Sequence, residues 1–408
     1  MSELSDPRRT LLLDLFRSGL AAVHGRRAVH DWLSQHPPAD GFHLVALGKA
    51  ADAMAAGALD AAADGLRAGL VVTRYGHQDT AAYRDPRILS LEAGHPLPDE
   101  RSLAAGNALR LFLREAPADA RFLFLISGGT SSIVEAPVPG VSLETLCELN
   151  VWLLGGGLPI AEVNHVRSAL SLIKGGRLAQ ELRGRPATLL LMSDVPGDVA
   201  SDIGSGLLLS SPRRDLPKLP ERFASLPFQR DAVQQAPEVD AHIVASNGVA
   251  RVAVAAAAHA AGNTAFDHGA LPFMDAVACG TAIAEFMKTA PQGVHIWGGE
   301  TTVRLPPNPG QGGRNQHLAL AAARQLAGTH GILILAAGTD GSDGVTDDAG
   351  ALVDGASVQR GGNSGYDAAD YLARADAGTF LEAAGDLLYT GPTGTNVMDL
   401  VIGLKLKG

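Results

Sequence analysis

The stretch FLFLISGGTSS, residues 122–132, decides how this chain is read. An uninterrupted apolar run, FLFLI, stops at Ser127, Gly128, Gly129, Thr130, Ser131 and Ser132. A short apolar run closed by glycine is the pattern of a strand covered on both faces. Glycines let backbone N–H groups approach a ligand closely, and the hydroxyls add further donors. That combination suits an anion, most often a phosphate. The loop contains no lysine, so it is not the GxxxxGK[ST] phosphate loop. A cation that neutralises phosphate charge must then come from another part of the chain.

The surrounding sequence sets bounds on the answer. With 408 residues, two domains are the default expectation. Glycine accounts for 48 residues, above the usual ~7%, and it clusters in short loops after apolar runs. The formal net charge of −10 argues against a nucleic-acid or anionic-membrane partner, while leaving room for a local cationic pocket. Cys147 and Cys279 are the only cysteines, so a disulfide scaffold is not expected. No apolar run reaches the ~18 residues of a membrane span. The opening MSELSDPRRT has no signal pattern, and LLLDLFRSGLAAV reads as an amphipathic helix, so a reducing, cytoplasmic setting is expected.

Apolar strand-like runs alternate with Ala- and Leu-rich helical stretches. Strands are expected at 42–47, 69–73, 122–126 and 188–192, then at 242–245, 293–297, 332–336 and 400–406. Helices are expected at 50–62, 102–114, 143–154, 166–182, 250–261 and 315–326. This alternation predicts an α/β fold of two domains, each a mainly parallel sheet flanked by helices. Ligands of such sheets bind at the carboxyl ends of strands. The Pro- and charge-rich segment 210–237 is the expected break, giving domains 1–230 and 231–408.

Seven segments carry candidate chemistry. In LGKAADAM, Lys49 follows a strand at a helix start, where its charge opposes the helix dipole. It is either a solvated lysine or a phosphate-binding cation. In EAGHPLPDERS, Asp99 is placed to cap a helix and His95 to contact a ligand. The loop 127–132 is read as ligand-binding in preference to a simple capped helix start. In MSDVPGD, Asp194 follows a strand, as a Mg²⁺ ligand, a proton acceptor or an Asx turn. WGGETT supplies Glu300, and GQGGRNQH places Arg314 among glycines, where a guanidinium grips phosphate or carboxylate with two donors. In AAGTDGSDGVTDDAG, Asp340 is expected in the site, and Asp347 and Asp348 in solvent. The spacing misses the calcium-loop pattern, because Ser342 and Gly344 stand where acids are required. TGPTGTNVMDL adds Thr393 and Asn396 in a turn of small donors. No strict GxGxxG, HExxH, GxSxG or paired CxxC is present.

The ordered set of these segments, together with VNHVRSALSLIKGGRLA, resembles the glycerate 2-kinase family, whose C-terminal part is the MOFRL domain. Within the 163–179 segment, Ser168 and Ala169 depart from the family pattern, while Asn164, Arg167, Lys174, Gly175 and Gly176 keep it. The resemblance implies ATP- and Mg²⁺-dependent phosphorylation of D-glycerate to 2-phosphoglycerate. It also implies two α/β domains with the active site in the cleft between them, and a MOFRL region at about residues 293–405.

Phosphoryl transfer is mostly positioning and charge stabilisation. On that basis Lys49, Arg314 and Asp194 are the expected catalytic residues, with Asp194 and Asp340 as Mg²⁺ ligands. Ser127, Gly128, Gly129, Thr130, Ser131, Ser132, His95, Asn247, Glu300, Asp343, Thr393 and Asn396 form the expected substrate- or nucleotide-binding set. The expected partners are small molecules, with the protein a monomer or homodimer. Two other readings are an NAD(P)-dependent hydroxypyruvate reductase and a non-catalytic sensor of sugar acids or nucleotides.

Overall fold

The computed structural model describes residues 6–38, 40–78, 81–155, 158, 160–210, 215–229, 239–272 and 274–407. The chain forms two compact units. One is His24–Ala245 with Gly394–Asn396; the other is Met1–Val23, Ser246–Thr393 and Val397–Gly408.

The first unit is built on a six-stranded sheet. Its strands are β1 (Phe42–Leu47), β2 (Leu66–Arg74), β3 (Ile88–Ala93), β4 (Phe122–Ile126), β5 (Ala187–Met192) and β6 (Val239–Ala245). Their order is β3-β2-β1-β4-β5-β6, and every pairing is parallel. This is the order of a doubly wound sheet, with its reversal between β1 and β4. Every residue of β4 is buried, as its unbroken apolar run requires. Leu44 lies opposite Leu123 and Val45 opposite Phe124. Val45, Leu47, Phe124, Ile126, Leu189 and Leu191 share one core. β6, at the sheet edge, is mostly exposed or half-buried. Asp99 caps the helix Glu100–Glu115 through a reciprocal pair with Ser102: Ser102 N donates to Asp99 Oδ1 at 2.8 Å, and Asp99 N donates to Ser102 Oγ at 3.0 Å.

The second unit also holds a six-stranded sheet. It contains β7 (Ala265–Ala270), β8 (Gly293–Gly299), β9 (Ile332–Gly338), β10 (Gly350–Asp354), β11 (Leu387–Leu388) and β12 (Asp399–Lys405). The order is β11-β10-β9-β12-β8-β7, and only β7 and β8 pair in parallel. The expectation of a mainly parallel second sheet is therefore corrected. β9 and β10 are joined by a segment with no helix, a connection that suits antiparallel strands. The last strand, β12, inserts antiparallel between β8 and β9. Trp297, Leu318, Ile334, Phe380 and Val401 lie in its core.

Two further expectations change. The periodic stretch 166–182 is not one helix: an α-helix spans Ile160–Ala169, and a 3-10 segment covers Arg177–Leu182. Between them Gly175 N donates to Ser205 O at 3.0 Å and Gly176 N donates to Gly206 O at 2.6 Å, bonds that a continuing helix would forbid. The expected boundary at 230/231 falls outside the described residues. β6 still pairs with β5, so the first unit extends to Ala245. The helix Pro7–Ala22 belongs to the second unit, where Arg9 Nη2 donates to Asp386 Oδ1 at 2.9 Å and Gly19 packs on Val254 and Leu400. Among the described residues no helix is long and apolar enough to cross a membrane.

Candidate active site

The carboxyl ends of β1, β4 and β5 are neighbours, and each is followed by an expected site residue. The turns after β1 and β4 are zipped together. Ser127 N donates to Leu47 O at 3.0 Å, and Lys49 N donates to Gly128 O at 2.9 Å. Ser127 Oγ accepts from Ala50 N at 3.1 Å, and Thr130 Oγ1 lies 2.7 Å from Ser127 O and 3.0 Å from Leu47 O. Ser132 Oγ donates to Gly129 O at 3.2 Å, and Ser131 Oγ lies 2.7 Å from Ser205 Oγ. The hydroxyls expected to face an anion are thus engaged in shaping the loop.

Four side chains converge instead on the two glycines. A Cβ on Gly128 would overlap Asp194 Oδ2 and Asn396 Nδ2. Gly129 has φ +84°, and a Cβ there would sit 3.1 Å from both His95 Cδ2 and Lys49 Cγ. Only glycine fits either place. Asn396 Nδ2 donates to Asp194 Oδ2 at 3.3 Å, and Asn396 N reaches the Met192 sulfur at 3.0 Å, docking this turn at the end of β5. Lys49, His95 and Asp194 each keep part of their surface accessible.

The second unit gathers a different set. Arg314, the first residue of the helix Arg314–Leu326, pairs with Glu300 after β8, and its Nη2 lies 3.5 Å from Asp399 Oδ1. Asp343 accepts from Asn315 N at 3.1 Å, Asn315 Nδ2 at 3.3 Å and Gln316 N at 2.8 Å, so it caps that helix from another loop. Burial, reinforced by Asp399, pushes the Asp343 carboxyl up to about 7. Burial also pushes Asp399 up to about 6, against the pull of Arg314. Burial works to lower the Arg314 pKa, but Asp399, Glu300, Asp343 and Asp340 together outweigh it and hold the guanidinium charged. Asp340 accepts from Ser342 N and Ser342 Oγ, each at 3.1 Å. Asp347 is exposed and Asp348 half-buried.

Asn247 and Thr393 are turned to internal bonds. Asn247 Nδ2 donates to Val397 O at 2.9 Å and Asp399 O at 3.0 Å, holding the start of β12, and Thr393 Oγ1 donates to Thr339 O. Asp399 was missing from the expected set. Its signal in sequence is a lone acid at the head of an apolar run, since a buried acid in such a place needs a partner. Among the described residues no group of three or more His, Cys, Asp or Glu side chains is gathered to hold a metal.

Two family models match this chain: a domain of unknown function, DUF4147, over residues 11–219, and the MOFRL family over 293–399. The chain is 37% identical to a D-glycerate 2-kinase of Thermotoga maritima, with 97% of this chain and 98% of that protein covered. It is 38% identical to a protein of Agrobacterium vitis named as a hydroxypyruvate reductase, covering 96% and 93% of the two chains. The crystal structure of a glycerate kinase (EC 2.7.1.31) from Thermotoga maritima superposes with a TM-score of 0.84 at 34% identity, covering 98% of this chain and all of that one. With the ordered motifs, the doubly wound first sheet and the full-length likeness all in agreement, the chain belongs to the glycerate 2-kinase family, a DUF4147 region followed by a MOFRL region.

Proposed function

We propose that this protein transfers the γ-phosphoryl group of ATP to the 2-hydroxyl of D-glycerate, forming 2-phospho-D-glycerate and ADP. The observation that carries this reading is the convergence of Lys49, His95, Asp194 and Asn396 on Gly128 and Gly129, at the carboxyl ends of parallel strands. The missing side chain at Gly128 lets Asp194 and Asn396 close on the loop, and the one at Gly129 leaves room for Lys49 and His95, so four polar side chains gather at one turn. Lys49 supplies the cation that the loop lacks, and Arg314 is the second cation assigned to charge stabilisation. The 2-hydroxyl oxygen forms the new bond to phosphorus as the bond to the β,γ-bridging oxygen breaks. ADP leaves with that electron pair, and in this reading Asp194 accepts the hydroxyl proton.

Magnesium, when bound, screens the phosphate charge. Magnesium bound mainly by phosphate oxygens and water needs only one or two carboxylates. Asp194 is the candidate in the first unit and Asp340 the candidate in the second.

The test is ADP release on mixing the protein with ATP, Mg²⁺ and D-glycerate. Enolase alone then converts the product to phosphoenolpyruvate if it is the 2-phosphate and leaves the 3-phosphate untouched. Nicotinamide oxidation with hydroxypyruvate in place of ADP release would overturn the reading in favour of a reductase. Binding without turnover would make the protein a sensor. Lys49→Ala is expected to lower kcat by about 10²-fold or more; a near-normal kcat would remove Lys49 from the mechanism.

A further inference from the structure

The first unit buries a charged cluster that the reaction above does not use. Lys174 is fully buried and paired with Glu135 Oε2. Glu135 Oε1 accepts from Ser171 Oγ at 2.7 Å and from Ala136 N at 2.9 Å, so both of its oxygens are engaged. Arg167 lies within the field of the same carboxylate. Its Nε donates to Asn150 Oδ1 at 2.8 Å, and Asn150 is in turn held by Leu146 O at 2.8 Å. Among the described residues Arg167 has no ion-pair partner, and its two Nη atoms have no hydrogen-bond acceptor. It retains accessible surface. Lys174 takes the carboxylate in an ion pair and Arg167 lies only in its field, which leaves a balance of one positive charge in a largely buried place. Burial pulls the Arg167 pKa below the ordinary arginine value, with Glu135 acting the other way. The Nη atoms are not among the buried atoms left without a partner, so this end of the guanidinium is open to an arriving anion while the rest of the side chain is held inside.

The cluster is tied to the glycine loop. Ser131, two residues past Gly129, donates to Ser205 Oγ at 2.7 Å, and Ser205 donates to Asn164 Oδ1 at 3.0 Å. Asn164 Nδ2 also holds Asp202 O at 3.1 Å. Asn164 and Arg167 stand three apart on the helix Ile160–Ala169, on one face. Two hydrogen bonds and one helical turn therefore join Arg167 to the loop at which the phosphoryl group is placed.

We infer that Arg167 receives the carboxylate of the hydroxy-acid substrate. Its two Nη groups donate to the two carboxylate oxygens, while Asn150 fixes the Nε end. The planar fork matches a carboxylate, and one excess positive charge matches a monoanion better than a polyphosphate. A carboxylate held there also favours reaction at the adjoining carbon, because the 2-hydroxyl is the one nearest the anchored group. The identity of the acid rests on the kinase reading; the anion receptor does not.

The test compares wild type with Arg167→Met and Arg167→Lys. D-glycerate binding is followed by calorimetry, and KM is measured separately for glycerate and ATP. Arg167→Met should weaken glycerate binding and raise its KM by about 10- to 100-fold, the effect of losing hydrogen bonds to a charged group. KM for ATP should change by less than about twofold, and Arg167→Lys should recover part of the loss. The preference for glycerate over glycerol, which lacks the carboxylate, should fall in the Met variant. Unchanged glycerate affinity would overturn the inference, as would a loss that falls on ATP. If Arg167→Met does not fold, Arg167→Lys and Arg167→Gln carry the same comparison. If wild type makes no ADP from glycerate, the kinase reading fails, and calorimetry with D-glycerate and D-lactate still decides the role of Arg167.

Discussion

Around Glu135, Lys174 takes the one carboxylate and Arg167 feels only its field, whereas around Arg314 the carboxylates of Glu300, Asp340, Asp343 and Asp399 all act on one cation. The first cluster sits in the parallel-sheet unit and the second in the unit whose sheet is mainly antiparallel. The contrast separates two uses of charge in a protein interior. Lys174 and Glu135 close on each other and hold a bend in the chain, and Arg167 beside them is left with donors to spend on an anion. Arg314 is instead outnumbered, so its guanidinium is kept charged and aimed, while burial, with neighbouring carboxylates adding to it, raises the Asp343 and Asp399 carboxyls.

The largest expected effect breaks the closed pair. Lys174→Met should cost the first unit about 3–5 kcal/mol, read from denaturant midpoints, because Glu135 is left buried and uncompensated. Adding Glu135→Gln should recover most of that loss. A single-variant cost below about 1 kcal/mol would mean the pair is not sealed from water. Next, Arg314→Ala should lower kcat by about 10²- to 10³-fold if the held guanidinium serves transition-state charge. An unaltered kcat would reduce it to a scaffold for Glu300 and Asp399.

A smaller effect tests the carboxylate surplus through pH. The folded-state pKa of Asp343, about 7, lies above the ordinary 3.8. Between those values the folded protein keeps a proton that the unfolded chain has released, so this group makes the protein less stable as pH rises from about 4 to about 7. Asp343→Asn cannot titrate. The Tm of the variant minus that of wild type should therefore climb across the interval, and a flat difference would contradict the raised pKa. The smallest effect is that of Ser131→Ala, which removes one hydrogen bond to Ser205 and should cost about 0.5–1.5 kcal/mol. With it should come a modest rise in KM for glycerate as the link through Asn164 loosens.

Much of this was legible in residue order. FHLVAL and FLFLI are apolar throughout because both faces of the first sheet are covered, and the strands stand where those runs do. Asp99 caps the helix as expected, and the structure adds its reciprocal partner Ser102 three residues on. β3, β7, β10 and β11 were missed: ILSLEA and AFDHGA are short and mixed in polarity, GALVD is buried but only five residues long, and β11 spans two residues, so none carries a strong periodic signal. The helix expected over 166–182 followed a sound 3.6-residue pattern that backbone bonds from Gly175 and Gly176 to a distant turn override. The hydroxyls after β4 were read as ligand donors because residue type alone says nothing about where an Oγ points.

The sequence by itself determined the buried strands, the glycine-rich turns behind them and the residue types available for phosphoryl chemistry, because burial on two faces and close backbone approach each restrict which residues can occupy a position. Only the tertiary structure decided which charges meet. Asn396 reaches Asp194 across 202 positions, Arg314 reaches Asp399 across 85, and Lys174 reaches Glu135 across 39. It also decided the direction of β12, since the same apolar run can enter a sheet either way until the strands around it are in place. Hydrophobic periodicity is a local property of the chain, whereas charge compensation in a low-dielectric interior depends on neighbours that folding alone brings together.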